Sequence, residues 1–157
     1  MGRAETVACV ETPVGHLCLW ADAGRLTRLT WDDGPRLAVT HPKVLRDAAA
    51  QLGAYFAGDL RAFSVPLALG PGAFQARFQQ ALIDIPLGET RTYGELAAEL
   101  RVSAQAVGQA CGANRLPVIV PCHRVLGRSG LGGFSGGTGV ETKVALLKLE
   151  GAAGLLI

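Results

Sequence analysis

Pro121-Cys122-His123-Arg124-Val125 is the densest chemical feature of this 157-residue chain. Between Pro117 and Pro121, Val118-Ile119-Val120 reads as a short buried strand, so Cys122 is expected at a rigid turn beyond its end. A cysteine is a useful nucleophile only as thiolate, and its unperturbed pKa is about 8.5. His123 cannot easily fold back onto its neighbour's sulfur, but it can work through one bridging water. A carboxylate is then needed to hold the imidazole tautomer and stabilise its charged form. From position 101 onward the acids are Glu141 and Glu150, and Glu150, late on the last helix, is the one placed to return to the site. Asn114, eight residues before Cys122, is suited to hold the loop by side-chain-to-backbone hydrogen bonds. Taken without its surroundings, a Cys-His pair is more often structural than catalytic.

Net charge is only +2, with 49% hydrophobic and 18% charged residues, which indicates a packed core and gives no global case for nucleic-acid binding. Local charge says more. Residues 1–69 balance seven basic against seven acidic side chains, whereas Arg101 to Val140 holds no acid and four arginines, Arg101, Arg115, Arg124 and Arg128. Such a stretch suits an anionic partner such as a phosphate backbone. No apolar run reaches the roughly 18 residues of a membrane span, and Met1 to Val10 lacks the apolar core of a secretory leader, so a cytoplasmic protein without membrane association is expected. In that setting Cys9, Cys18, Cys111 and Cys122 are expected as reduced thiols. Cys9, His16, Cys18 and His41 form no compact ligand hook, and no metal site is expected.

The elements that must position these residues fall into an α+β arrangement of two parts. Val7–Val10 and Leu17–Trp20 flank Thr12-Pro13-Val14-Gly15 as a hairpin, Leu26–Trp31 adds a third strand, and Val44–Phe56 has helical apolar spacing. Phe63–Leu69 reads as extended, and Leu69-Gly70-Pro71-Gly72 as a break. The expected domains are 1–70, a strand-rich supporting α/β unit, and 71–157, a mainly helical unit. In the second, Phe74, Phe78, Ala81, Leu82 and Ile85 make one helical stripe. Thr92-x-x-Glu95 is a capping box, and Ser103 caps a helix from Ala104 to Ala113 with Val107, Ala110 and Cys111 on its core side. These two short helices look like a helix-turn-helix, although on pattern alone a plain helical hairpin is the commoner outcome. A glycine-rich loop, Gly127–Gly139, leads to Thr138-x-x-Glu141, a second capping box opening a final helix that ends at Glu150-Gly151.

The run Asn114-Arg115-Leu116-Pro117-Val118-Ile119-Val120-Pro121-Cys122-His123-Arg124-Val125 resembles the active-site signature of the O6-alkylguanine-DNA alkyltransferases, the methylated-DNA–protein-cysteine methyltransferases. The resemblance runs from Phe74 to Gly151 and includes Gly88-Glu89-Thr90-Arg91-Thr92-Tyr93-Gly94-Glu95-Leu96-Ala97, Ala106-Val107-Gly108 and Gly133-Phe134-Ser135-Gly136-Gly137. The N-terminal half looks like the family's variable first domain. The resemblance implies a winged-helix-like second domain and a single-turnover repair protein, monomeric and without a cofactor. Such a protein flips O6-alkylguanine out of double-stranded DNA and keeps the alkyl group on its own cysteine; whether O4-alkylthymine is accepted stays open.

By that resemblance Cys122 is the acceptor, His123 deprotonates it through a water, Glu150 orients His123, and Asn114 stabilises the turn. Tyr93 rotates the target phosphate or protonates the leaving guanine. Pro117, Val125, Phe134 and Ser135 line the base pocket, and Lys143 anchors the lid loop. The second helix lies in the minor groove, with Ala106 and Gly108 allowing close approach and Gln105, Arg101, Arg115 and Arg124 meeting DNA. Three positions depart from the pattern. Gln105 stands where an intercalating arginine is usual, Arg115 where proline is common, and Phe134 where some members carry tyrosine. Gln105 predicts weaker duplex binding or slower flipping, unless Arg101 or Arg115 compensates. The alternative is a non-catalytic lesion binder, but such relatives lack the cysteine. A methyl-responsive regulator would need a further DNA-binding domain, and a cysteine hydrolase would turn over repeatedly.

Overall fold

The computed structural model describes residues 5–128 and 130–152. The first four residues of the Met1–Val10 stretch, Ser129 of the glycine-rich loop and the last five residues of the expected 71–157 domain lie outside the described residues. The chain forms two compact units, Met1–Ala68 and Leu69–Ile157.

The first unit is a three-stranded antiparallel sheet in the order β1 (Thr6–Thr12), β2 (Gly15–Asp22), β3 (Arg25–Trp31), with α1 (Lys43–Phe56) packed on it. The Thr12–Gly15 turn sets the register, pairing Val10 with Leu17 and Cys9 with Cys18. α1 turns Val44, Leu45, Ala48, Leu52 and Tyr55 inward, the i, i+4 stripe that its apolar spacing predicts. The central strand buries Leu17, Cys18 and Leu19 in succession, so both its faces are covered. The segment after β3 returns across the sheet, where Cys9 N donates to Pro35 O and Leu37 N to Cys9 O. Phe63–Leu69, expected as extended, contributes a single bridge, Leu67 beside Leu26.

The expectation of four reduced thiols fails here, because Cys9 and Cys18 form a disulfide. Directly opposed residues on neighbouring antiparallel strands are close enough for two cysteine side chains to bridge, and the register makes these two cysteines such a pair. Reading compartment from cysteine number took no account of that register. Cys111 and Cys122 are free.

The second unit contains α2 (Ala73–Ile83), β4 (Arg91–Thr92), α3 (Tyr93–Leu100), α4 (Ala104–Gly112), a 3₁₀ turn (Cys122–Arg124), β5 (Val125–Leu126) and α5 (Val140–Glu150). The Thr92–Glu95 capping box forms as expected: Glu95 N donates to Thr92 Oγ1 at 3.0 Å and Thr92 N to Glu95 Oε1 at 2.8 Å. α3 ends at Arg101 in the left-handed region, and Ser103 Oγ accepts from Ala106 N to open α4, completing the helix-turn-helix. Leu96, Ala97, Leu100, Val107 and Ala110 close the core between the two helices.

Two local expectations are corrected in this unit. Val118-Ile119-Val120 is a turn and not a strand: Val118 takes φ +74° and Val120 N donates to Leu116 O. The Thr138–Glu141 box does not form. Thr138 uses its backbone N–H and hydroxyl on Thr142 Oγ1, and α5 starts from Gly139, whose φ of +76° suits glycine. Among the described residues, no helix is long and apolar enough to cross a membrane.

Candidate active site

Two residues of parallel pairing set the geometry of the site. β4 lies beside β5, Arg91 opposite Val125 and Thr92 opposite Leu126. The residue following β4 is Tyr93 and the turn preceding β5 carries Cys122, so the pairing joins the start of the helix-turn-helix to the cysteine turn. Tyr93 and Cys122 line one cavity of about 320 Å³, together with Gly108, Cys111, Gly112, Gly133, Phe134 and Ser135.

Asn114 holds the cysteine turn from inside. Its Nδ2 donates to Val120 O at 2.9 Å and its Oδ1 accepts from Leu116 N at 3.1 Å, so one amide closes both ends of the Leu116–Val120 turn. Burial pushes the Cys122 thiol above its ordinary pKa, while a side-chain hydrogen bond from Asn114 and the nearby Lys143 cation favour the thiolate. At neutral pH the group is a thiol that needs a base.

The candidate base is His123. Its ring is fully buried, and Nε2 lies 2.6 Å from Glu150 Oε2. Burial holds the imidazole below its ordinary pKa, so it is neutral. Burial acts to raise Glu150, but the hydrogen bonds from His123 and Arg124 and the Arg124 charge outweigh it and hold the carboxyl at about 2. An ionised carboxylate only accepts, so the single ring proton sits on Nε2 and Nδ1 carries the lone pair. Among the described residues, Nδ1 is the buried side-chain polar atom left without a hydrogen-bond partner. The ring is therefore oriented with its basic nitrogen unspent.

Arg124 is not the surface phosphate contact expected of it. Its Nε and Nη2 donate to the two Glu150 oxygens at 2.8 and 3.1 Å, and its Nη1 donates to Ile85 O at 2.6 Å. The guanidinium is buried and committed to the Glu150 carboxylate. Nothing in the order of residues distinguished it from its neighbours; the signal was Glu150 itself, a buried acid that needs a cation as well as a histidine.

Lys143, also buried, donates from Nζ to Val125 O at 2.6 Å and Gly133 O at 3.1 Å, tying the glycine-rich loop to β5. Burial lowers its pKa, and the neighbouring thiols act the other way. The loop then closes over Tyr93. A β-carbon on Gly132, at φ +72°, would fall 2.9 Å from the tyrosine Cε2, so only a bare backbone passes there. Burial and the adjacent Cys111 and Cys122 raise the Tyr93 pKa, leaving its hydroxyl protonated, while the Gly133 backbone hydrogen-bonds it.

Of the expected pocket residues, Phe134 and Ser135 line the cavity, whereas Pro117 and the fully buried Val125 are not among the described residues on its wall. Cys111, expected in the core, is half-buried and faces the cavity, its thiol pushed up to about 12 by burial and by Cys122. It belongs to two stripes at once, 107/110/111 toward the core and 108/111/112 toward the cavity, and the second one could have been read from the glycine spacing. Arg101, Gln105, Gly108 and Arg115 are exposed on or beside α4, and Ala106 is half-buried. Among the described residues, no cluster of three or more His, Cys, Asp or Glu side chains is arranged to hold a metal ion.

Comparison with known proteins supplies the family. Residues 73–152 match the model for the DNA-binding domain of 6-O-methylguanine DNA methyltransferase, and residues 6–69 match the model for its ribonuclease-like domain. A methylated-DNA–protein-cysteine methyltransferase of Mycobacterium tuberculosis is 43% identical over 149 residues, covering 90% of this chain and 89% of the relative. The constitutive methylated-DNA–protein-cysteine methyltransferase of Bacillus subtilis is 40% identical over 152 residues, covering 89% and 92%. The crystal structure of Mycobacterium tuberculosis OGT in complex with DNA superposes with a TM-score of 0.80 at 43% identity, covering 92% of each chain. With both of its halves matched and relatives about 40% identical over most of its length, the chain belongs to the 6-O-methylguanine DNA methyltransferase family.

Proposed function

We propose that this protein repairs DNA by moving the alkyl group of O6-alkylguanine onto Cys122, once per molecule, as a monomer in the cytoplasm. The observation that carries the reading is the shared cavity. A thiol, a protonated phenol and a glycine-lined wall meet there, behind a histidine whose free nitrogen is fixed by a buried carboxylate. A base must leave the duplex to reach such a pocket.

His123 Nδ1 takes the Cys122 proton through a bridging water, and Glu150 stabilises the imidazolium that results. The thiolate attacks the alkyl carbon in line, so the S–C bond forms as the C–O6 bond breaks. The electron pair of that bond stays on guanine, which takes a proton from Tyr93, and the proton held by His123 then returns through water to the Tyr93 phenolate. Thiol and leaving guanine balance the reaction, and no cofactor is required. The thioether has no leaving path, which makes the transfer stoichiometric.

Lys143 keeps the loop bearing Phe134 and Ser135 over the flipped base, and Asn114 holds the turn that presents the sulfur. α4 enters the minor groove, with Ala106 and Gly108 permitting close approach, Gln105 at the vacated stack, and Arg101 and Arg115 on the phosphates. The first unit supports the second.

Intact-protein mass spectrometry after incubation with a duplex carrying one O6-methylguanine tests this. One added methyl per protein, mapped to Cys122, is the expected result. Binding without mass gain would move the protein to the non-catalytic lesion binders.

A further inference from the structure

Gln79 lies on α2, well before the cysteine motif in sequence, and its side chain is fully buried among Phe78, Ala81 and Leu82 of the same helix. A buried amide is costly unless its donor and acceptor are both used. Gln79 Oε1 accepts from Gly70 N at 2.7 Å, and Nε2 donates to Asn114 Oδ1 at 3.1 Å. Asn114 Oδ1 also takes Leu116 N, so both of its lone pairs are occupied by donors. Its Nδ2 must then face the other way, toward Val120 O and the Cys122 sulfur.

We propose that Gln79 is a positioning residue for alkyl transfer, locking the Asn114 amide so that its N–H, and not its oxygen, is aimed at the Cys122 thiolate. The lock has a direction. Gly70 N–H fixes the oxygen end of Gln79, the nitrogen end fixes the oxygen of Asn114, and the nitrogen of Asn114 is left for the sulfur. A flipped Asn114 would set its NH₂ against two donors and its oxygen against a carbonyl and an anion. Without Gln79, one of the two donors that hold the Asn114 oxygen is gone. The chain is also polarised end to end, which strengthens the last hydrogen bond in a buried setting. The role rests on Cys122 being the acceptor of the proposed transfer, but the thiol itself can be followed without DNA.

The test is the pH dependence of iodoacetamide capture at Cys122, read by peptide mass mapping so that Cys111 is scored separately. Gln79→Met preserves volume and removes both bonds. Gln79→Glu keeps an acceptor for Gly70 N but, when ionised, offers no donor to Asn114 and attracts its NH₂ instead. Both variants are expected to raise the apparent thiol pKa by about 0.5–1 pH unit, a three- to tenfold slower capture on the acid side, since one hydrogen bond to the thiolate is weakened. In an Asn114→Ala background the same substitutions should produce no further change. A wild-type capture profile in a folded Gln79 variant would overturn the proposal, as would an equal shift with and without Asn114. Normal capture in the parent protein with no transfer from alkylated DNA would refute the repair reading and leave the Gln79 result intact.

Discussion

Glu150→Gln separates the relay from its surroundings by removing a charge while nearly preserving shape. The carboxylate accepts three hydrogen bonds, from His123 Nε2 at 2.6 Å and from Arg124 at 2.8 and 3.1 Å, and its side chain is fully buried. Holding it at about 2 instead of the ordinary 4.5 corresponds, at about 1.4 kcal/mol per pH unit, to roughly 3 kcal/mol of folding stability. Because the folded pKa is depressed, that stability is present above pH 4.5 and is lost as pH falls toward 2. The amide cannot ionise and leaves Arg124 buried beside a neutral partner. The variant should therefore unfold in urea at pH 7 with a loss of about 3 kcal/mol, within the range for breaking a buried pair, and the gap should narrow between pH 4.5 and 2. His123 adds a separate acid loss to both proteins. Its pKa is depressed by burial, so the unfolded chain binds its proton first and stability drops as pH falls below 6.5. For the chemistry, a neutral acceptor lowers the basicity of Nδ1 without moving the ring. Transfer, measured by rapid quench with an O6-methylguanine duplex in single turnover, should slow on the order of 10–100-fold, a part of the 10²–10⁴ that a general base supplies. A folded Glu150→Gln protein with the wild-type rate from pH 5 to 9 would refute the relay.

Gln105→Arg should tighten binding to duplex DNA several-fold in a fluorescence titration at fixed salt, because a cation with a stacking face replaces a neutral amide; unchanged or weaker affinity would remove Gln105 from the vacated stack. Lys143→Met loses the bonds to Val125 O and Gly133 O and a cation that favours the thiolate. Its transfer rate is expected to fall about tenfold and the Cys122 capture profile to move to higher pH; an unmoved profile would confine Lys143 to packing. Gly34→Ala would place a β-carbon 2.9 Å from Cys9 Sγ, and a drop of about 1–3 kcal/mol in unfolding free energy follows from overpacking. A thermal melt unchanged by that substitution would show that the segment crossing the sheet yields freely.

What the sequence made legible follows from the range of each interaction. The hairpin, α1, the Thr92 capping box and the Ser103 cap are each set by residues within about four positions of one another, and each was readable. The corrections lie where a contact competes with the local pattern, at close range for Thr138, which turns to Thr142, and at longer range elsewhere. Val118–Val120 has the composition of a strand, but Asn114 binds both ends of Leu116–Val120 and holds it as a turn. Cys9 and Cys18 read as separate thiols until the register of β1 and β2 sets them opposite one another. Gln79 carried no signal at all, since a glutamine on an amphipathic helix is ordinarily solvated, and only the fold brings Gly70 and Asn114 to its two ends.

Arg124 makes the same point for charge. Counting cations over an acid-free stretch gave four candidates for a phosphate backbone, yet Glu150, 26 residues away, draws one of them inside and leaves Arg101, Arg115 and Arg128 exposed. The buried arginine still contributes, by a different route. Without its two bonds to Glu150 the carboxyl would rise toward its ordinary pKa, the hydrogen bond holding Nε2–H would weaken, and Nδ1 would lose part of its basicity. In the proposed mechanism the residue that charge arithmetic assigned to DNA binding instead supports the carboxylate that orients His123. Arg124 and Gln79 thus act alike in the proposed mechanism, one through the carboxylate that orients the base and the other through the amide that faces the Cys122 sulfur.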